Sequence, residues 1–369
     1  MAGTESPPAA GSWSGWAAPD LGRELGAGVQ ELGRILVAYY LVRFHPQPGA
    51  ARGRRDLTSL VAGAYRRNPG HTAFLLERLC YEFVKRFWRA GEEPRQLLCG
   101  EEAMWLPEQS LILLHAGLGM ALAKRLLKPL RPDSPGEAFD AALEHFASLV
   151  EGNSRPEFAP VAFEAMGLLV RRFLPRLHGA VEARLRARDP LLAAYYWHGA
   201  GRAVYFLPEI IHPFPGAIRR GLEICRREPP GAGYKLDSLA GFCFASTMIN
   251  LRHPQLLARI LPHLAPGEGE ALASGVAGAL MTRHHTCPYE LGVREFLRPI
   301  PERRFGAAGG RLAASWENLV RRPCTEALAR AYPLLRARGE LATLARHRPL
   351  AALLDPAPRL PPGAGPRQR

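Results

Sequence analysis

The stretch Tyr195-Tyr196-Trp197-His198-Gly199-Ala200-Gly201-Arg202 concentrates more binding chemistry than any other part of this chain. Two kinds of aromatic ring, an imidazole and a guanidinium sit beside glycines that let another backbone or a ligand come close. A ligand would stack on Tyr196 and Trp197 and be held by His198 or Arg202. The competing reading is that these side chains pack a helical core. Two further residues are acid/base candidates because they lie in apolar company: His115 in LLHAGLGMALA and Glu164 in VAFEAMGLL. A buried carboxyl has a raised pKa unless it is paired, and with His115 and His198 it would form an acid/base set. Pairing with a structural arginine is the alternative fate of Glu164.

Other clusters point away from metal chemistry. His284-His285-Thr286-Cys287, with His253 and His263 upstream, is dense in potential ligands. Neighbouring residues on a helix point about 100° apart, and no CxxC or HxxxH pairing accompanies them. A polar helix end before Pro288 is the simpler reading. Glu209-Ile210-Ile211-His212 places a carboxylate and an imidazole on one face, but a di-iron bundle needs two such motifs and two more carboxylates. The chain has one, bracketed by Pro208 and Pro213. The Gly199-Ala200-Gly201 run lacks the preceding strand of a dinucleotide fingerprint. There is no GxSxG, Walker loop or HExxH. No metal and no cofactor is expected.

These residues need elements to position them, and glycine supplies the pattern. A small-residue cluster flanked by long apolar side chains recurs as AGLGMALA from Ala116, FEAMGLLV from Phe163, HGAGRAVY from His198, LAGFCFAS from Leu239 and SGVAGALM from Ser274. Gly167, Gly201, Gly241 and Gly278 are separated by 34, 40 and 37 residues. Such quasi-periods mark stacked helical units, and small residues at crossings let helices approach closely. Start signals agree. Asp20, Asp56, Ser134-Pro135-Gly136-Glu137 (read as a capping box), Asp189-Pro190 and His253-Pro254 each precede apolar residues at helical spacing. The run His71–Trp88 carries a stripe of Phe74, Leu75, Leu79, Phe83 and Phe87. Prolines, Pro323 among them, read as loop punctuation. No run alternates with strand period. The expected fold is all-α, a multi-helix array of stacked helical hairpins in a right-handed solenoid-like repeat or a closed helical array. Residues 20–354 read as a single helical domain with a sub-boundary near 91–106, between Pro/Gly/Ser-rich tails at 1–19 and 355–369 that read as disordered.

Composition constrains the class. The chain has 369 residues, 47% hydrophobic and 22% charged, as expected of a globular protein. The net charge of +14 raises nucleic acid as a partner. Only four of the 48 basic residues are lysines, and arginines fall in mixed-sign stretches such as EARLRARD at 182–189. Six cysteines without CxxC, and an N-terminus lacking a basic and apolar leader, lead to the expectation of a reducing, cytoplasmic setting. The uncharged stretches Leu111–Ala123 and Leu239–Leu251 are too short to predict a membrane span.

His115 to Lys124, HAGLGMALAK, resembles the HxGxGxALA[KR] element of a bacterial family of unknown function, the UnbL-type accessory proteins found in gene clusters for enediyne polyketides. Gly199 to Phe206 is similar to a second element, a GxGR followed by a small residue, an aliphatic and two aromatics. Ser274 to Arg283 resembles a later small-residue helix. The family's acidic residue two positions before GxGR stands here as Trp197. The resemblance covers patches of residues 110–325 and brings no catalytic assignments. It implies a cytoplasmic helical accessory protein of natural-product biosynthesis, binding an apolar intermediate or a partner enzyme. Two alternatives stay open: an enzyme acting on an apolar substrate in a helical cavity, with His115, Glu164 and His198 as its acid/base set, and a helical-repeat protein that cups nucleic acid.

Overall fold

A computed structural model describes residues 26, 29–30, 32–36, 56–67, 72–211, 216–302 and 309–354. The expectations for the two tails and for His212 lie outside these residues; of the helix expected after Asp20, residues 26, 29–30 and 32–36 are described and are helical. Among the described residues there is no strand, and the chain is an all-α helical array.

Five inner helices form a row: α3 (Leu111–Leu127), α5 (Ala159–Phe173), α7 (Pro190–Tyr205), α9 (Ala232–Asn250) and α10 (Gly269–Thr286). Each packs on the next. Outer helices α4 (Gly136–Asn153), α6 (His178–Arg188) and α8 (Ala217–Arg227) link them and cover one side of the row. Sequence accounts for the two layers. On α8, Ile218, Leu222 and Cys225 are buried while Arg219, Arg220 and Glu223 face water, the pattern of a helix with one covered face. On α10 every residue from Ala271 to Thr286 except His284 is buried, so neighbours lie all around it.

Glycine sets the spacing of the row. A Cβ on Gly119 would fall 2.3 Å from the carbonyl oxygen of Ala162, one on Gly199 1.7 Å from that of Glu164, one on Gly201 1.9 Å from that of Ser238, and one on Gly275 2.2 Å from that of Ala240. No side chain fits at those crossings, so backbone meets backbone. Gly278 departs from the theme: it faces the carbonyl of Leu344 in the C-terminal segment, and Gly275 makes the helix contact instead.

The row curves, and its hollow side is filled by the chain itself. Helix α2 (Thr72–Arg89) packs along α3 at one end of the row. At the other end the Arg283 guanidinium of α10 lies 5.6 Å from the Phe74 ring of α2. Between them the Glu77 side chain of α2 reaches Arg202 of α7. A second segment enters after Gly339, whose φ of +68° is the left-handed conformation glycine takes readily. Its short 3₁₀ turn, Leu341–Ala345, packs against α5, α7 and α10. One apolar core runs from Ile35 to Leu353, and burying a leucine such as Leu76 of α2 stabilises the fold by about 1.5–3 kcal/mol.

Local signals hold in part. Asp56 caps α1 (Leu57–Arg67) by accepting from the Ser59 N–H at 2.6 Å. Asp189 caps α7 through the N–H groups of Leu191 and Leu192. Ser134 does not form the expected capping box: its Oγ accepts from the Arg131 N–H at 2.9 Å and closes the preceding turn. After His253 the helix lasts only from Pro254 to Leu257, then tightens into a 3₁₀ turn, Ala258–His263, that holds Pro262. Pro323 is not in a loop. It lies in a continuous helical run over 309–338, where π turns Glu317–Arg321 and Ala327–Ala331 precede Pro323 and Pro333. A wider turn relieves the clash between each proline ring and the carbonyl four residues back. The 91–106 connection is ordered against α4: Asn153 holds the Leu97 N–H and the Pro94 carbonyl.

The stretch Glu108–Leu127 is long and apolar enough to cross a membrane by length and composition, and most of it is buried within the array.

Candidate functional site

The Asp189 cap fixes where α7 begins and hence which way its aromatic-rich middle faces. Tyr196 and Trp197 turn toward the outer helix α6. The Tyr196 hydroxyl lies 2.8 Å from Nδ1 of His178, and the Trp197 Nε1–H donates to Glu182 at 3.3 Å. Both residues are buried and packed around the His178 ring. The structure therefore separates the four residues of the expected binding patch. Tyr196 and Trp197 pack the seam between layers, whereas His198 and Arg202 face the interior.

That interior face holds a network of four charged or ionisable side chains. Glu164 of α5 and His198 of α7 are each 1% exposed. Oε1 of Glu164 lies 3.2 Å from His198 Nδ1, and Arg202 Nη1 donates to both Glu164 oxygens at 3.0 and 2.8 Å. Arg202 Nη2 donates to Glu77 Oε2 at 3.4 Å. Phe244 of α9 closes the group, its ring 5.4 Å from that of His198 and 5.3 Å from the Arg202 guanidinium.

Electrostatics assigns each group its form. Burial pushes the Glu164 carboxyl up, but Arg202 and His198 together outweigh burial and hold it below the usual range, so Glu164 is ionised. Burial lowers the His198 pKa despite the carboxylate beside it. An ionised carboxylate only accepts hydrogen bonds, so the neutral His198 ring carries its proton on Nδ1. Its Nε2 is then a lone pair, buried and without a partner among the described residues. Glu77 is the opposite case: burial raises its carboxyl more than Arg202 lowers it. Its side chain keeps 18% of its surface exposed. Glu77 was not among the residues that the sequence singles out, although its signal resembles that of Glu164. It stands in LLERLC between residues that become core, Leu76, Leu79 and Cys80.

His115 does not join this network. Its Nδ1 donates to the Leu111 carbonyl at 2.7 Å and its Nε2 accepts from the Arg155 N–H at 3.1 Å, so both ring nitrogens are committed to backbone. Burial holds its pKa down to about 4. The folded pKa lies below the unfolded 6.5, so the unfolded chain binds the extra proton. The stability this ring contributes is complete above pH 6.5 and lost as pH falls from 6.5 to 4. His178, also near 4, adds in the same direction, and Asp237, raised by burial to about 7, opposes it. His115→Gln isolates the one ring. Its destabilisation in urea is expected to be smaller at about pH 5.0 than at about pH 7.5 by roughly 2 kcal/mol. An equal cost at both pH values would show that the ring is not held neutral.

The remaining clusters carry no ligand geometry. His285 Nδ1 lies 3.1 Å from the Tyr332 hydroxyl, and the His284 ring packs on the same tyrosine. Among the described residues no group of three or more His, Cys, Asp or Glu is arranged to hold a metal ion. Many arginines are engaged within the fold: Arg171 with Glu228, Arg226 with Glu268, Arg283 with Glu290. Five cysteines are buried and Cys99 is exposed.

The three patches that carried the family resemblance fall on α3, α7 and α10, all in the inner row. No family model, curated protein or solved structure matches this chain.

Proposed function

We propose that this protein is a cytoplasmic helical accessory protein of bacterial natural-product biosynthesis, of the enediyne-like polyketide kind, and that it holds an apolar intermediate within its helical array. The observation that carries the reading is the interior face of α7. There a fixed imidazole nitrogen with no partner among the described residues and a half-buried carboxyl stand among aromatic and aliphatic walls. That combination suits a ligand with a large apolar body and a few oxygens: apolar burial supplies the affinity and one or two polar groups set the orientation.

Calorimetric titration with aromatic and polyene polyketides tests the reading. Binding of one molecule per chain at about micromolar strength is expected, weakened about tenfold in His198→Ala. No heat with any of them, or binding indifferent to His198, overturns it.

One observation favours an enzyme instead. Glu164 orients His198 as a carboxylate orients a general base, with Nε2 left to take a proton. On that reading Glu164→Gln abolishes turnover of the bound molecule while leaving its affinity in place. On the accessory reading the recovered molecule is chemically unchanged in both proteins.

A further inference from the structure

The C-terminal segment that enters the hollow of the row meets a helix face on which, as on the segment itself, buried polar atoms lack partners among the described residues. After Gly339 it runs as one 3₁₀ turn and then extended backbone. Two side-chain acceptors hold it: the His347 N–H donates to Asp237 Oδ1 at 2.8 Å, and the Arg348 N–H to Ser274 Oγ at 3.1 Å. The Arg346 guanidinium lies over the Tyr195 ring at 5.9 Å. Among the described residues, buried polar atoms without partners cluster on both sides of this contact: Nε of Arg346 and Nδ1 of His347 on the segment, Nε2 of His198 and Nε of Arg202 on the helix beneath. Buried polar groups are ordinarily paired, and each exception favours opening. Segments held this way open at lower free energy than the helices they cover.

Beneath the segment the surface is already shaped. Tyr195, His198 and Arg202 are three and four residues apart, so they form one stripe along α7. Phe244 flanks that stripe from α9. His198 presents an acceptor there, because the ionised Glu164 keeps the ring proton on Nδ1.

We infer that the ligand seat lies under residues 339–348, against Tyr195, His198 and Phe244, and that it takes an apolar molecule bearing a hydrogen-bond donor such as a hydroxyl. The segment is the cover of the seat, hinged at Gly339. His198 Nε2 accepts the ligand's hydroxyl proton in a hydrogen bond, and the apolar body lies on Phe244 and Tyr195. An apolar molecule with acceptors only leaves the Nε2 lone pair unmet and binds more weakly. The inference rests on the binding reading above and adds the place of the seat and the polarity of its occupant.

Hydrogen exchange on the wild-type chain and a pair of matched probes test it. The amides of His347 and Arg348 are expected to exchange at least about tenfold faster than the mid-helix amides of α7 and α9. Asp237→Ala/Ser274→Ala, which removes both acceptors, is expected to speed them a further tenfold or so while leaving the helices protected. Equilibrium dialysis of that variant against 1-naphthol and naphthalene should show about tenfold preference for the hydroxylated probe. His198→Phe in the same background should abolish the preference. Amides at 347 and 348 as protected as those of α9 overturn the cover. Equal affinity for the two probes, or a preference that survives His198→Phe, overturns the donor seat. Failure of wild-type protein to bind any polyketide counts against the proposed function alone, since the naphthol comparison is made on the opened variant.

Discussion

Gly199→Ala is expected to lower the stability of the array by about 3 kcal/mol, the upper part of the range for an added methylene in a full core. The new Cβ would meet the Glu164 carbonyl oxygen at 1.7 Å. The obstacle is backbone, which cannot rotate away as a side-chain tip would. Helices α5 and α7 must separate, and Glu164 loses its fit to His198 and Arg202 at the same crossing. Gly63→Ala provides the contrast. Gly63 is also helical, in α1, but a Cβ added there would have nothing within 4 Å. There alanine is expected to stabilise by about 0.5–1 kcal/mol, because it narrows the unfolded ensemble and favours helix. Urea midpoints of the two variants should move in opposite directions. A Gly199→Ala midpoint within error of wild type would mean that the row is not packed backbone to backbone.

The second large effect concerns charge. Glu164→Ala is expected to cost about 3–5 kcal/mol, because Arg202 and His198 then remain buried with their shared acceptor gone. Arg202→Leu is expected to cost a similar amount by stranding Glu164. The double variant Glu164→Leu/Arg202→Leu should be less destabilised than the sum of the singles by at least about 2 kcal/mol, since no buried charge of that pair remains. Additive losses in denaturant titrations would show that the ion pair is solvated and would remove the electrostatic argument for the His198 tautomer.

The fold was legible because its determinant is local and repeated. Glycine clusters at near-regular spacing predicted close helix crossings, and each crossing of the inner row uses one. The Asp56 and Asp189 caps were equally plain, since a cap needs only its own two or three following residues. Ser134 failed as a capping box because a preceding turn competes for its hydroxyl. Pro323 failed as a helix breaker because a π turn absorbs it. The site was legible in pieces. His198, Arg202 and Glu164 stood out as polar residues in apolar surroundings, and the structure brings them together. Tyr196 and Trp197 stood out for the same reason but face the other way, since consecutive helical residues diverge by about 100° and the direction of the core is a tertiary fact. Glu77, Phe244, Asp237 and His347 were not legible, because they enter from α2, α9 and the C-terminal segment, and no local pattern says that these lie across the hollow of the row.

The filled hollow also has a consequence for how the chain is made. Synthesis delivers α2 early and residues 339–348 late, while α3 to α10 appear between them. The row can extend one neighbour at a time as each helix emerges, because its contacts are between successive elements. Its concave wall, however, waits for a segment not yet translated. A nascent chain from which α10 has emerged displays an apolar trough along α5, α7 and α10, and that trough is a natural target for a holding chaperone until the turn Leu341–Ala345 arrives to cover it.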